Sequence, residues 1–195
     1  MEAINADARD ASVAGELEAL DAQIAALRKR QTELRRLHSA MTMSNYTFRD
    51  KSDGPVTLLQ LFGDRSDLLV VHNMGQRCNY CSLWADGLNG VLPHILRRTA
   101  FAVSSPDSPE EMSAISARRG WQFPMVSIAG TTFAADCGFL DDEGMVWPGV
   151  SSFHREPHHG VHRISSATFG PGDEFCAIWH LFDLLQEGAA GWEPH

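Results

Sequence analysis

The sequence predicts an α/β protein: a three-layer α/β/α sandwich on a mixed sheet, preceded by a long N-terminal helix. Three observations carry this. From Leu68 onward, apolar runs of strand length alternate with stretches of helical spacing; that alternation builds parallel strands through right-handed crossovers. Further along, two strand-like runs flank the turn Glu156-Pro157-His158-His159-Gly160 and precede a helix, which adds an antiparallel hairpin and a covering helix. Ahead of all this lies a heptad-spaced segment without proline.

That first segment places Val13, Leu17, Leu20, Ile24, Leu27, Gln31 and Leu34 at alternating intervals of four and three. One helix from about Ala11 to Leu37 is predicted, roughly 40 Å long. Its apolar stripe calls for a partner, most simply the same helix of a second chain, so homodimerisation is expected. Glu16, Glu18 and Asp21 lie in its first half, and Arg28, Lys29, Arg30, Arg35 and Arg36 in its second. This split suits the helix dipole. The orientation of the pairing stays open. Residues 1–40 are read as this helix and 41–195 as the α/β domain.

A linker leads to a short strand near Tyr46-Thr47-Phe48, Gly54-Pro55 makes a turn, and Val56 to Phe62 is a short apolar run. Leu68 to Val71 reads as a buried strand. After it, Leu83, Trp84, Leu88, Val91, Leu92, Ile95 and Leu96 are spaced for a helix with one apolar face, with a kink or break near Pro93. Thr99 to Ser104 is a second buried strand. Ser108-Pro109-Glu110-Glu111 opens a helix that runs to Arg119 and stops at Gly120. Trp121 to Ile128 gives another strand, Phe133 to Cys137 a helical turn, and Met145 to Phe153 a strand interrupted at Trp147-Pro148-Gly149. Val161 to Ile164 is its hairpin partner. The last helix is predicted from Asp173-Glu174 to Gly188, with a loose tail behind it.

Cys78-Asn79-Tyr80-Cys81 sits between the Leu68 strand and the helix that follows. The helix N-terminus carries unpaired N–H groups and a partial positive charge, which stabilise a thiolate on the first cysteine. The two-residue spacer returns the second sulfur within bonding reach. The same pair could be half of a zinc site. The remaining cysteines, Cys137 and Cys176, are single and far apart, which favours redox chemistry.

Composition narrows the classes. The net charge of −9 argues against nucleic acid as the main partner. No apolar run is long enough to span a membrane. Met1 to Asp7 lack the basic and apolar regions of a secretory signal, so a cytoplasmic setting is expected. There, a Cys-x-x-Cys pair is more often catalytic than structural.

The order of elements, with Cys-x-x-Cys at the first strand-to-helix turn, resembles the thioredoxin superfamily. Three stretches are similar to one branch of it, the uncharacterised thioredoxin-like family of domain of unknown function 899: Gly75 to Gly87, Arg119 to Pro124, and Trp147 to Ser151. The resemblance covers nearly the whole chain. It implies a thioredoxin-like fold and dithiol–disulfide oxidoreduction, with Cys78 attacking and Cys81 resolving. It also implies that Pro148 faces the dithiol as a cis-proline whose backbone pairs with a substrate strand. No cofactor beyond the cysteine pair is called for. The implied partners are a disulfide-containing protein or small thiol and an external thiol reductant. Arg77, Tyr80, Trp147 and Pro148 are the candidate substrate contacts, with Arg77 expected to favour the thiolate by its charge. Thioredoxin-like proteins often carry Trp before the first cysteine and a Gly-Pro spacer, whereas here Arg77 and Asn79-Tyr80 stand there. Peroxiredoxins place Thr or Ser three residues before the reactive cysteine; Gly75 stands there, which disfavours a peroxidase of that kind.

Other residues are read more plainly. His154, His158, His159 and His162 crowd one hairpin without an evident further ligand, so a metal site is the lesser reading. Cys137 is expected to be a buried small hydrophobe and Cys176 to be partly exposed. His72 is expected to be a hydrogen-bonded core histidine, and Trp84, Trp121 and Trp147 to pack in the core. The rival to an enzyme is a non-catalytic scaffold that assembles through the long helix.

Overall fold

A computed structural model describes residues 2–37, 40–156 and 160–195. The chain divides into two compact units, Met1–Ser39 and Ala40–His195. The first is a single helix, α1 (Glu2–Leu37). It starts earlier than its heptad seam, because the alanine-rich stretch ahead of Val13 favours helix. Its seam residues Val13, Leu17, Leu20, Ile24, Leu27 and Leu34 are all exposed.

The second unit is built on one eight-stranded mixed sheet. Its strands are β1 (Met41–Met43), β2 (Thr47–Asp50), β3 (Pro55–Thr57), β4 (Asp67–His72), β5 (Ala100–Ser105), β6 (Met125–Ser127), β7 (Gly149–Glu156) and β8 (Gly160–Thr168). They lie in the order β1-β8-β7-β4-β5-β6-β2-β3. β4, β5 and β6 run parallel, as the crossover pattern predicts. β7 adds antiparallel to β4, and β8 to β7.

Among the described residues, five helices complete the unit: α2 (Leu58–Leu61), α3 (Asn79–Ile95), α4 (Pro109–Arg119), α5 (Phe133–Asp136) and α6 (Ala177–Phe182). Alternation along β4 assigns them to faces. Leu68 and Val70 join Leu58, Phe62 and Phe133 of the α2 and α5 side. Val71 and Leu69 join Trp84, Leu92, Met112, Ile115 and Trp179 from α3, α4 and α6. The result is the expected α/β/α layering.

Local signals hold where capping chemistry is explicit. α4 begins with a capping box between Ser108 and Glu111, with Pro109 in its first turn, and ends at Gly120 in the left-handed region. α2 begins with a second capping box, Thr57 and Gln60, which turns the Val56–Phe62 run from strand to helix after one residue pair. α3 runs through Pro93 and ends at Ile95, within a turn of it.

Three expectations about the elements fail. The last helix is only Ala177–Phe182. The Asp173 carboxylate accepts the N–H groups of Phe175 and Cys176, and so holds a turn where a helix start was expected. The tail is not loose, since Trp192 packs edge-on against both Trp179 and Phe182. The predicted strand over Trp121–Ile128 shrinks to Met125–Ser127, because Trp121 and Phe123 are drawn into the core beside α3 and α4.

Candidate active site

The dithiol lies beyond the C-terminal end of β4. Asn73 prolongs the parallel pairing by donating its N–H to Ser104 O at 2.9 Å. Its side chain then turns the chain, accepting Gly75 N–H at 2.7 Å. Gly75 has φ of +102°, and a Cβ there would lie 2.7 Å from Asp107 Oδ1. Only glycine therefore fits. Asp107, from the loop between β5 and α4, accepts the N–H of Gln76 at 2.7 Å and the Ser105 hydroxyl at 2.9 Å. The Gln76 side chain donates to Glu111 on α4. Gly75 O then accepts Cys78 N–H at 3.1 Å. The turn into the first cysteine is thus tied to β5 through Asn73 and to the loop before α4 through Gln76.

Cys78 is the N-cap of α3, in extended conformation, and its sulfur accepts the N–H of Cys81 at 3.1 Å. The Cys81 sulfur accepts the N–H of Met74 at 3.4 Å. Both thiols are free; Cys78 is half-exposed and Cys81 buried. The pair is asymmetric in charge. The Cys81 thiol donates to the Cys78 sulfur and, against the opposing effect of burial, brings the Cys78 pKa down to about 7, with the N–H groups of Cys81 and Tyr80 assisting. Cys81 is pushed far up, first by that same bond to Cys78 and then by burial. One sulfur is thus ready to attack near neutral pH while the other holds its proton.

The remaining candidates sort as follows. Arg77 is exposed. Its charge bears on Glu111, whose carboxyl it helps keep low, and it is not among the causes acting on Cys78. The expected thiolate support from Arg77 is therefore replaced by hydrogen bonds from within the motif. Tyr80 is half-buried and stacks on Trp179 at 6.0 Å between ring centroids, with Trp84 on another side at 6.2 Å. Trp84 and Trp179 each bury an indole N–H without a hydrogen-bond partner.

Trp147 and Pro148 come to the same end of the sheet, because Gly149, the first residue of β7, pairs with His72, the last of β4. No cis peptide occurs among the described residues, so the bond before Pro148 is trans, contrary to expectation. The chain there is held by two bonds, from Trp147 N–H to Phe139 O and from Phe169 N–H to Pro148 O, each at 2.9 Å. Those groups are engaged within the protein, and Pro148 is buried. Trp147 is 55 % exposed, in place of the expected core position, while Trp84 and Trp121 are buried as expected.

His72 is a hydrogen-bonded core histidine. Its Nε2 lies 2.9 Å from the Ser151 hydroxyl, and its ring stacks on Phe139 at 4.0 Å. Burial drives its pKa down to about 3, so it is neutral. Cys137 is buried, and burial raises its pKa to about 12. Cys176 is also buried, contrary to expectation, because it precedes the short α6 and joins the core cluster that contains Cys81. His154 and His162 face each other across β7 and β8, and His154 is 2.7 Å from Asp67. His158 and His159 lie outside the described residues. Among the described residues, no group of three or more His, Cys, Asp or Glu is arranged to hold a metal. No helix among them is long and apolar enough to cross a membrane. A cavity of about 610 Å³ opens at the other end of the sheet, lined by Lys51, Leu96 and Ala100 among others, and excludes the dithiol.

Asp107, Asn73 and Met74 were not foreseen as parts of the site. Asp107 was hidden in what reads as a helix start.

The fold matches known structures at low identity. Against the peroxidoxin BcpB from Mycobacterium tuberculosis the TM-score is 0.55 at 16 % identity, over 67 % of this chain and 84 % of that one. Against the bacterioferritin comigratory protein of Xanthomonas campestris, whose structure is described for alkyl peroxide reduction, it is 0.53 at 15 % identity, over 63 % and 80 %. A hypothetical protein from Sinorhizobium meliloti gives 0.51 at 16 % identity, over 80 % and 86 %. These likenesses show a thioredoxin-like α/β fold. Among curated proteins, none matches the chain. The model of a family described as bacterial protein of unknown function DUF899 matches residues 5–191. With nearly its whole length inside that match, the chain belongs to the DUF899 family.

Proposed function

We propose that this protein is a cytoplasmic dithiol–disulfide oxidoreductase in which Cys78 attacks and Cys81 resolves. The carrying observation is the asymmetry of the pair: a half-exposed N-cap sulfur whose pKa is brought down to about 7 by a buried, proton-holding neighbour. The Cys78 thiolate attacks a substrate disulfide, forming a mixed disulfide and releasing one substrate thiolate. The Cys81 thiol then loses its proton, attacks the Cys78 sulfur and expels the second thiolate. Two electrons pass from the pair to the substrate, leaving a Cys78–Cys81 disulfide. A dithiol reductant returns them by the reverse exchange. Once Cys78 is in the mixed disulfide, the thiolate that held Cys81 protonated is gone. Activation of the second sulfur thus follows from the first step.

Arg77, Tyr80, Trp147 and Pro148, which share one end of the sheet with Cys78, are assigned as contacts for a disulfide-bearing protein or small thiol. Peroxide is the less favoured oxidant. The position where a peroxiredoxin carries a hydroxyl is Gly75, whose backbone and Asp107 neighbour exclude any side chain.

The test is trapping. Cys81→Ser is expected to accumulate mixed disulfides at Cys78, seen by mass spectrometry, and the native pair to show a reversible two-electron transition between roughly −120 and −270 mV in poised dithiothreitol buffers. Absence of any Cys78–Cys81 disulfide at every potential would overturn this reading in favour of a scaffold, and metal content would be measured next on the same sample.

A further inference from the structure

We infer that α1 is a self-association surface that pairs antiparallel with α1 of a second copy of this chain. The argument starts from what the helix leaves uncovered. Leu17, Leu27 and Leu34 are 58, 69 and 50 % exposed, in line with Val13, Leu20 and Ile24 along one seam. A row of large apolar side chains over this length is a binding face.

Charge decides the occupant and its direction. In the heptad, Leu17, Ile24 and Gln31 take the a positions, and Val13, Leu20, Leu27 and Leu34 the d positions. Glu16, Gln23 and Arg30 then fall at g, and Asp21, Arg28 and Arg35 at e. A parallel pair juxtaposes g with the following e of the other helix. Glu16 would meet the partner's Asp21, and Arg30 the partner's Arg35. Both are like-charge contacts, and twofold symmetry doubles them.

Reversing one helix brings e against e and g against g. With Ile24 packed on the partner's Leu27 and Leu17 on the partner's Leu34, Asp21 meets the partner's Arg28, and the symmetric contact repeats it. Gln31 then lies opposite the partner's Leu20. In this register no like charges oppose each other at e or g, whereas a slide of one heptad sets Asp21 against the partner's Asp21 in one direction and Arg28 against the partner's Arg28 in the other, so the register is favoured as well as the direction. The acidic first half and basic second half of one helix thus complement only a reversed copy of itself. In this arrangement the two Leu37 residues lie about 35 Å apart along the axis.

The test uses the full-length chain and its dimer dissociation constant from sedimentation equilibrium. The unmodified protein is expected to dimerise. Asp21→Arg is expected to weaken the dimer about tenfold, as is Arg28→Asp, and the double variant to recover most of the loss. A parallel pair predicts the opposite sign for Asp21→Arg, since Glu16 would gain an attractive partner. Cross-linking gives a second readout. When Leu17→Cys and Leu34→Cys proteins are mixed and oxidised, peptide mapping is expected to find the 17–34 linkage. A 17–17 linkage, tightening by Asp21→Arg, or a monomer at every concentration would each overturn the inference. None of these readouts depends on the redox activity of Cys78.

Discussion

The Cys81 thiol is the largest influence holding the Cys78 pKa at about 7, against an ordinary value of 9.0. Cys81→Ala removes that donor, so the Cys78 midpoint is expected to climb toward 9. At pH 7 the thiolate share then falls from about one half toward about 1 %, roughly fiftyfold. A more basic thiolate is also a better nucleophile, and a Brønsted coefficient of about 0.4–0.5 returns some six- to tenfold over two units. The net loss in rate at pH 7 is therefore at most about five- to eightfold, because the N–H groups of Cys81 and Tyr80 keep part of the shift. Well above pH 9 both proteins are thiolates, and the variant becomes the faster one. The assay is the initial rate of small-thiol release from a neutral small disulfide between pH 5 and 10, with the modified peptide identified by mass spectrometry. Crossing profiles are expected. An unmoved midpoint, or a variant slower at every pH, would refute the claim that Cys81 activates Cys78.

Two further predictions concern the platform beneath the dithiol. Gly75→Ala forces a side chain into the left-handed region and against the Asp107 carboxylate. A loss of about 2 kcal/mol or more in urea unfolding is expected, and a loss under about 0.5 kcal/mol would contradict the close approach. His72 stays neutral in the folded protein down to about pH 3, while the unfolded chain protonates it near 6.5. Between those values the unfolded state binds the extra proton. Stability contributed above pH 6.5 is thus lost as pH falls, by up to about 1.4 kcal/mol per unit. His72→Gln is expected to flatten this slope between pH 6 and 4, and an identical slope would show that another group causes it.

Elements whose ends are written in side-chain chemistry were legible from sequence. The Ser108–Glu111 capping box and Gly120 bounded α4 to the residue. The period-two core of β4 and the Cys-x-x-Cys at the following helix start placed the dithiol correctly. The last helix was misjudged because Asp173 reads equally as a first-turn acid and as a turn-forming acceptor, and only the tertiary position of Phe175 and Cys176 decides between them. The cis expectation for Pro148 came from resemblance. Here the flanking backbone groups are committed to Phe139 and Phe169, partners distant in type and not signalled by any motif. Asp107 escaped notice for a related reason: a carboxylate that serves backbone N–H groups of another loop leaves no periodic trace. Arg77 lies beside Cys78 in sequence, yet its charge is felt by Glu111 on another element.

The burial of the other three sulfurs has a practical consequence. The chain has four cysteines, and Cys81, Cys137 and Cys176 are all buried, with pKa values pushed up. To a mild electrophile at neutral pH the native protein therefore presents a single address. A fluorophore, a spin label or an affinity tag would attach at Cys78 without any background mutation, and a ratio of one label per chain marks the native state. Unfolding raises that ratio from one toward four, so the same reagent reports the state of the fold.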